Sequence, residues 1–202
     1  MLSFCAVHNH KLYKRCISLI YLGLVGLLQI IPVNASAEKA IIKEKSEKLE
    51  TGAKVAILPF ENMSGRFFNI DDFMRPFYRN LIKIFDLSSM DGVDEVILEL
   101  RLRHTGFLSS QEVLEIGQRL GVKAVILVMI CLYEETPELR IGLLTKVIGT
   151  DKETPILWVE SINESGNLTE SWFGRNHISN ADSLINKVAE DLIKKMSINL
   201  MQ

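Results

Sequence analysis

Residues 55–85 contain a short apolar run followed by a periodic apolar stripe. Residues 55–60 form an apolar run that has the length of a buried strand. Because Pro59 cannot donate a hydrogen bond to a neighbouring strand, the strand is expected to end near Pro59 or to lie at a sheet edge there. From residue 70 to 85, apolar side chains recur in steps of three and one, which predicts an amphipathic helix that Pro76 kinks or begins. Residues 93–102 fit a strand and a helix equally well.

The middle of the chain carries one clear helix signal and one clear strand signal. Ser109 and Glu112 have the spacing of a capping box, and Gly121 stands where a helix ends on a left-handed glycine. The pattern therefore predicts a helix between them. The nearly all-apolar residues 124–133 follow, which predicts a central strand buried on both faces.

The last third predicts two more strands and a final helix. Residues 139–148 and 156–162 are typical of strands, and the hairpin signal over 149–155 joins them. With the central strand they pair most simply as an antiparallel meander. A long polar loop is expected over 163–179, and an amphipathic helix over 180–196.

This order of elements predicts the fold class. A strand, a helical crossover and a β-meander give a mixed sheet of about four to five strands packed by helices. We expect a single two-layer α/β domain, bordering on α+β, with a topology like that of anticodon-binding domains.

The amino-terminal residues 1–37 read as a secretory signal peptide. Basic residues end at Arg15, an apolar core runs from 17 to 31, and the A-x-A site at 35–37 predicts a cut between Ala37 and Glu38. The alternative is a retained membrane anchor, although the core is shorter than the roughly 20 residues that span a bilayer. The Glu- and Lys-rich residues 38–53 are expected to be a polar linker or helix, and residues 54–202 the domain.

Composition supports that division and excludes several classes of protein. The mean hydropathy of +0.17 and the net charge of −2 average two unlike segments. Losing the three basic residues that precede Glu38 would take the net charge to −5. An acidic domain argues against a nucleic-acid binder. With 48% hydrophobic residues the chain is not of the disordered class, and three cysteines are too few for a disulfide scaffold.

Little in the mature sequence points to chemistry. Phosphate-binding, nucleophile-elbow and metalloprotease motifs are missing, and no cofactor is implied. No metal is implied either, because His104, His177 and Cys131 are too few for a zinc site. We expect His104 at a helix end and Cys131 as a small buried residue. The carboxylates keep a hydrolase open as an alternative, through Asp71 with Asp72, Asp94 with Glu95, Glu134 with Glu135, and Glu160 with Glu164.

Two segments are candidates for partner contact. The turn Asn62, Met63, Ser64 and Gly65 follows the first strand, where α/β folds often place ligands. Trp172 and Phe173 interrupt a polar loop, as interface anchors do, although folding back onto the core is the alternative.

Four stretches carry a family resemblance. Residues 54–65, KVAILPFENMSG, resemble the opening of the TolB amino-terminal-like and CsgG-like (curli secretion) family of bacterial envelope proteins. LRLRHTGFLSS at 100–110 resembles that family's arm, and IGQRLGVKAVI at 116–126 its helix-to-strand junction. Residues 139–158 resemble its hairpin, which ends in a strand tryptophan. The four lie in order along the chain.

The resemblance implies a small α/β module, a helix over 93–102 and a non-enzymatic role in the cell envelope. The expected function is a periplasmic binding or assembly module that supports secretion, polysaccharide export or cell-wall synthesis. Its partners would be envelope proteins, and homo-oligomers are open because some members form rings. The chain lacks the lipidation cysteine of many members, since Cys16 precedes the apolar core. The alternatives are a carboxylate hydrolase and an envelope component anchored in the membrane by an uncleaved leader.

Overall fold

A computed structural model describes residues 48–136, 138–166, 178 and 180–201. Six strands and four helices occupy these residues. The elements, in chain order, are β1 (Lys54–Ile57), β2 (Glu61–Asn62), α1 (Asp71–Leu81), β3 (Asp86–Leu87), α2 (Met90–Leu100), α3 (Ser110–Leu120), β4 (Ala124–Glu134), β5 (Arg140–Gly149), β6 (Ile156–Ser165) and α4 (Ala181–Leu200).

The strands form one mixed sheet in the order β3-β1-β4-β5-β6, and β2 pairs with β4 beyond the end of β1. β1 runs parallel to both of its neighbours, whereas β4, β5 and β6 form an antiparallel meander. The predicted α/β fold with a mixed sheet and a meander is therefore confirmed. β6 continues to Ser165, beyond the predicted end at 162, because its last residues still pair with the start of β5.

Helices cover both faces of the sheet, so the domain has three layers rather than the two expected. Val55 and Ile57 of β1 face the layer of α1 and α4, while Ala56 and Leu58 face that of α2 and α3. The same alternation continues in β4. Each face therefore presents apolar side chains that need cover.

The segment 93–102, which fitted both a strand and a helix, lies largely in the helix α2. With α3, this helix covers the second face of the sheet. The Ser89 hydroxyl accepts a hydrogen bond from the Gly92 N–H at the start of α2, and Val93 and Val96 are buried against the sheet. This outcome agrees with the helix that the family resemblance implies. Periodicity alone could not decide the matter, because the same residues also alternate in steps of two.

The predicted end signals of α3 are confirmed, and α1 begins before the proline at which it could have started. Ser109 and Glu112 form the full capping box of α3, and Gly121 closes the helix with a φ of 63°. α1 begins at Asp71 and passes through Pro76. Helical residues therefore lie on both sides of Pro76, whose ring is buried.

The core also extends beyond the predicted start of the domain. Leu49 and Ala53, which belong to the segment expected to be polar, are buried with the side chains under α1 and α4. At the other end, α4 runs to Leu200, and its apolar stripe faces the same layer. Among the residues that the structure describes, no helix is both long and apolar enough to cross a membrane.

Candidate functional site

The turn after β2 holds itself together through its own polar side chains. The Asn62 Oδ1 accepts hydrogen bonds from the Ser64 N–H (3.0 Å) and the Ser64 Oγ (2.7 Å), and the Asn62 Nδ2 donates to the Arg66 carbonyl (2.7 Å). Gly65 has a φ of 70°, which few other residues adopt. Asn62, Ser64 and Gly65 therefore shape the turn, because their hydrogen-bonding capacity is used within it.

Two apolar side chains project from this turn. Met63 is 50% exposed and Phe67 is fully exposed. Phe68, the next residue, turns inward, with its ring centroid 4.6 Å from that of Tyr133 and 5.1 Å from that of Phe73. Phe68 thus anchors the segment, and Phe67 is left pointing away from the core. Phe67 is therefore a candidate contact that the sequence did not predict, and the pair of adjacent phenylalanines at 67 and 68 was the available signal.

Glu61 joins the turn to the loop between α2 and α3. Its Oε2 accepts a hydrogen bond from the Gly106 N–H at 2.6 Å, and its Oε1 accepts one from the His104 Nδ1–H at 2.7 Å. The Thr105 hydroxyl adds a bond to the Pro59 carbonyl at 2.7 Å. His104 therefore lies in the loop between α2 and α3 and contacts the Glu61 carboxylate of β2, whereas we expected it at a helix end.

The protonation of Glu61 reflects these contacts. Burial by itself would raise the pKa of the Glu61 carboxyl. The hydrogen bonds from Gly106 and His104, with the attraction of the His104 ring, outweigh burial and hold the pKa below its ordinary value of 4.5. Glu61 is therefore a carboxylate at neutral pH, and its charge stabilises the loop contact.

The first prediction concerns this contact. Replacing Glu61→Gln is expected to lower the melting temperature by a few degrees at neutral pH, because an amide accepts these hydrogen bonds less strongly. The depressed pKa makes the contribution of Glu61 complete above its ordinary value of 4.5 and lost as the pH falls through the folded value. The difference in melting temperature between the Glu61→Gln protein and the unaltered protein should become smaller as the pH is lowered. The exposed Glu95→Gln is the control, and a pH-independent difference would contradict the prediction.

The loop contact also positions a third exposed apolar side chain, Phe107. Gly106 lies against β4 so closely that a Cβ there would come 2.6 Å from the Met129 Cγ and would force the Met129 side chain to move. Phe107, the next residue, is 60% exposed, and the Lys146 Nζ lies 5.7 Å from its ring centroid. Met63, Phe67 and Phe107 together are called the rim surface below.

Cys131 does not have the buried position that the sequence predicted. The residue is exposed, because the pairing of β4 with β5 shifts between Ile130 and Leu132 and leaves Cys131 in the irregularity. An apolar run predicts burial only while the strand keeps its alternation, and a bulge interrupts it.

The other predicted candidates divide into two groups. Trp172, Phe173, His177, the leader and its cleavage site lie outside the described residues. The carboxylate pairs are largely engaged with cations: Asp72 with Arg75, Glu134 with Arg140, Glu160 with Lys195, and Glu164 with Lys187. Of the predicted pairs, Glu134 and Glu135 line one pocket, where Glu134 is paired with Arg140 and Glu135 accepts a hydrogen bond from the Tyr133 hydroxyl. In the described part of the chain no three metal-ligating side chains come together.

Comparisons with known proteins extend this picture only as far as the fold. No family model matches the chain, and no curated protein matches its sequence. Among solved structures, hypothetical protein CT253 from Chlamydia trachomatis matches with a TM-score of 0.50 at 12% identity, over 74% of this chain and 98% of that one. The LpoB C-terminal domain from Salmonella enterica gives 0.49 at 12% identity, over 63% and 90%. Lipoprotein GNA1162 from Neisseria meningitidis gives 0.46 at 12% identity, over 72% and 98%.

These matches establish a shared architecture with CT253. At 12% identity they carry no residue of known function onto this chain. The TolB-like and CsgG-like resemblance stays a prediction, because no family model supports that name. The functional argument therefore depends on the rim surface and on the features of the sequence.

Proposed function

We propose that the protein is a non-enzymatic accessory module of the bacterial cell envelope that binds another envelope protein through its rim surface. The observation that carries the proposal is the exposure of Met63, Phe67 and Phe107 on two segments joined through Glu61. Exposed aromatic side chains on a preorganised support are the usual anchors of protein interfaces. The rim surface has both properties.

The support is built for rigidity. Hydrogen bonds within the turn from Asn62 to Arg66 hold Met63 and Phe67, and the Glu61 carboxylate holds the loop that carries Phe107. Ordering these side chains on binding therefore costs less conformational entropy than it would on a loose loop. Within the proposal, Asn62, Ser64 and Gly65 position the turn, Met63 contacts the partner, and Trp172 and Phe173 are further contacts.

The cellular setting of the proposal comes from the sequence. The signal-peptide features of residues 1–37 support export, and a cut before Glu38 would release the protein into the periplasm. The family resemblance suggests secretion, polysaccharide export or cell-wall machinery as the partner. The hydrolase alternative loses support, because four of its eight candidate carboxylates form ion pairs with basic side chains.

The second prediction tests the rim surface. The protein is crosslinked in intact cells of its source, recovered from the envelope fraction, and its captured partners are quantified by mass spectrometry. Phe67→Ala and Phe107→Ala should each reduce recovery of the same partner about tenfold, since a central aromatic anchor contributes more than 1 kcal/mol. The partner should then bind the purified protein with the same dependence on both rings.

The matched control is Leu98→Ala. Leu98 is 77% exposed on α2, so this variant removes a comparable apolar area from outside the rim surface. Recovery should be unchanged in Leu98→Ala. Equal recovery from all three variants, or the absence of any partner specific to the protein, would refute the proposed function.

A further inference from the structure

A groove with a volume of about 480 Å³ lies between α1 and the first turn of α2. Its apolar lining comes from Ile57 at the end of β1, Met74 and Tyr78 of α1, Ile82 directly after α1, and Met90 in α2. The volume lies within the range of protein binding sites. None of these residues belongs to the rim surface, so the groove is a second candidate site.

The groove exists because α1 carries two apolar stripes. Phe73 and Phe77 face the core and are almost fully buried. Met74, Tyr78 and Ile82 follow one another at intervals of four residues, so they form a separate ridge along the helix. Exposure increases along this ridge, from the buried Met74 to Ile82, which is 52% exposed. The core therefore does not use the second stripe fully.

A row of cations runs beside this ridge. Arg75, Arg79 and Lys83 repeat the same interval of four, and the first two line the groove. Arg75 forms an ion pair with Asp72 at 2.7 Å, and Lys83 donates a hydrogen bond to the neutral Asn80 side chain. Within the described residues, Arg79 has no carboxylate within 4.0 Å.

The charge of the groove is therefore uneven. Asp71 is the acidic residue of the lining, and it lies at the start of α1 together with Asp72. The other end of the helix, around Arg79 and Ile82, combines uncompensated positive charge with exposed apolar surface. An occupant of that end gains by bringing carboxylates to Arg79 and Lys83 and a large apolar side chain to Ile82.

We infer that this groove binds an amphipathic helix of another protein, one with large apolar residues three and four positions apart and Asp or Glu beside them. A ridge of residues spaced by four is the surface that packs into the grooves of a second helix. A small molecule is the weaker fit, because such ligands become mostly enclosed, whereas Ile82 lies half open to solvent. The inference concerns a second surface and does not depend on the proposed function of the rim surface.

The experiment uses the purified protein and a designed probe. The probe is a fluorescein-labelled helical peptide of about 20 residues, with leucines at intervals of three and four and glutamates flanking them. A second peptide has lysine in place of every glutamate. By fluorescence anisotropy, the acidic peptide should bind at least tenfold more tightly than the basic one, and salt should weaken its binding.

Variants of the protein locate the binding. Arg79→Glu should weaken binding of the acidic peptide about tenfold, and Ile82→Ala about fivefold. Lys152→Glu is the matched charge reversal at an exposed position in the turn after β5, and Leu98→Ala is the matched apolar truncation on α2. Both controls should bind the acidic peptide as the unaltered protein does.

Several results would overturn the inference. They are equal binding of the two peptides, undiminished binding by Arg79→Glu, or no binding of the acidic peptide below about 1 mM. Vesicles that contain phosphatidylglycerol form a further arm. If the vesicles bind in an Arg79-dependent manner and the peptide does not, the groove recognises anionic lipid instead. Self-association that Ile82→Ala abolishes would assign the groove to a second copy of the chain.

Discussion

Replacing Gly117→Ala is expected to lower the free energy of unfolding by about 3 kcal/mol, although alanine is the better helix former by about 1 kcal/mol. Gly117 lies in α3 where the helix meets the turn after β5, and an added Cβ would overlap the Cβ of Thr150. Because that carbon is fixed to the backbone of Thr150, rotation of the Thr150 side chain gives no relief. The helix would have to move away from the sheet.

Urea unfolding, followed by circular dichroism, measures this change in stability. A second replacement, Thr150→Gly, removes the obstructing carbon and should recover part of the loss in the double variant, which a general intolerance of position 117 would not allow. Gln118→Ala is the control, because it places alanine at an exposed position of the same helix. A Gly117→Ala protein as stable as the unaltered one would show that α3 packs less closely than the structure indicates.

Replacing Phe77→Ala is expected to cost about 4 kcal/mol, the largest effect of any substitution considered for the core. Phe77 is 1% exposed, and its ring meets that of Phe60 edge to face, with centroids 5.1 Å apart. The truncation removes this aromatic pair and leaves a cavity under α1. Because Phe60 directly precedes β2, we also expect weaker support for the turn that carries Met63.

The same unfolding experiment tests this value. Phe77→Leu keeps most of the volume and should cost about 1.5 kcal/mol or less. Phe107→Ala removes an equally large ring that is 60% exposed, so its effect on stability should lie within about 0.5 kcal/mol. A Phe77→Ala protein that unfolds at the same urea concentration as the Phe107→Ala protein would contradict the packing of α1.

Much of the fold could be predicted from the sequence where the signal is local. The capping box at Ser109 and Glu112 and the glycine at 121 mark α3, and the apolar runs mark β4 and its hairpin partners. These elements are specified by the hydrogen bonds and solvent exposure of residues that are near one another in the chain. Periodicity did not identify α2, because the alternation over 93–102 satisfies two periodicities at once.

The candidate site was predictable only in part, because its decisive contacts join distant residues. The turn at 62–65 was identified from its residue types, yet the pairing of Glu61 with His104 and Gly106 leaves no mark in either segment alone. Which of Phe67 and Phe68 points outward depends on the positions of Phe73 and Tyr133. The exposure of Cys131 depends on a bulge, and a bulge changes register without changing composition.

The connectivity of the sheet has a consequence for the order in which the molecule folds. β4, β5 and β6 follow one another with short connections, so their hydrogen bonds form at a small cost in loop entropy. β1 must instead find β4 across three intervening helices, with Val55 opposite Ala124. Contacts of that sequence separation slow folding. We therefore expect the meander to provide the folding nucleus, with β1, β2 and the turn after β2 joining the sheet late.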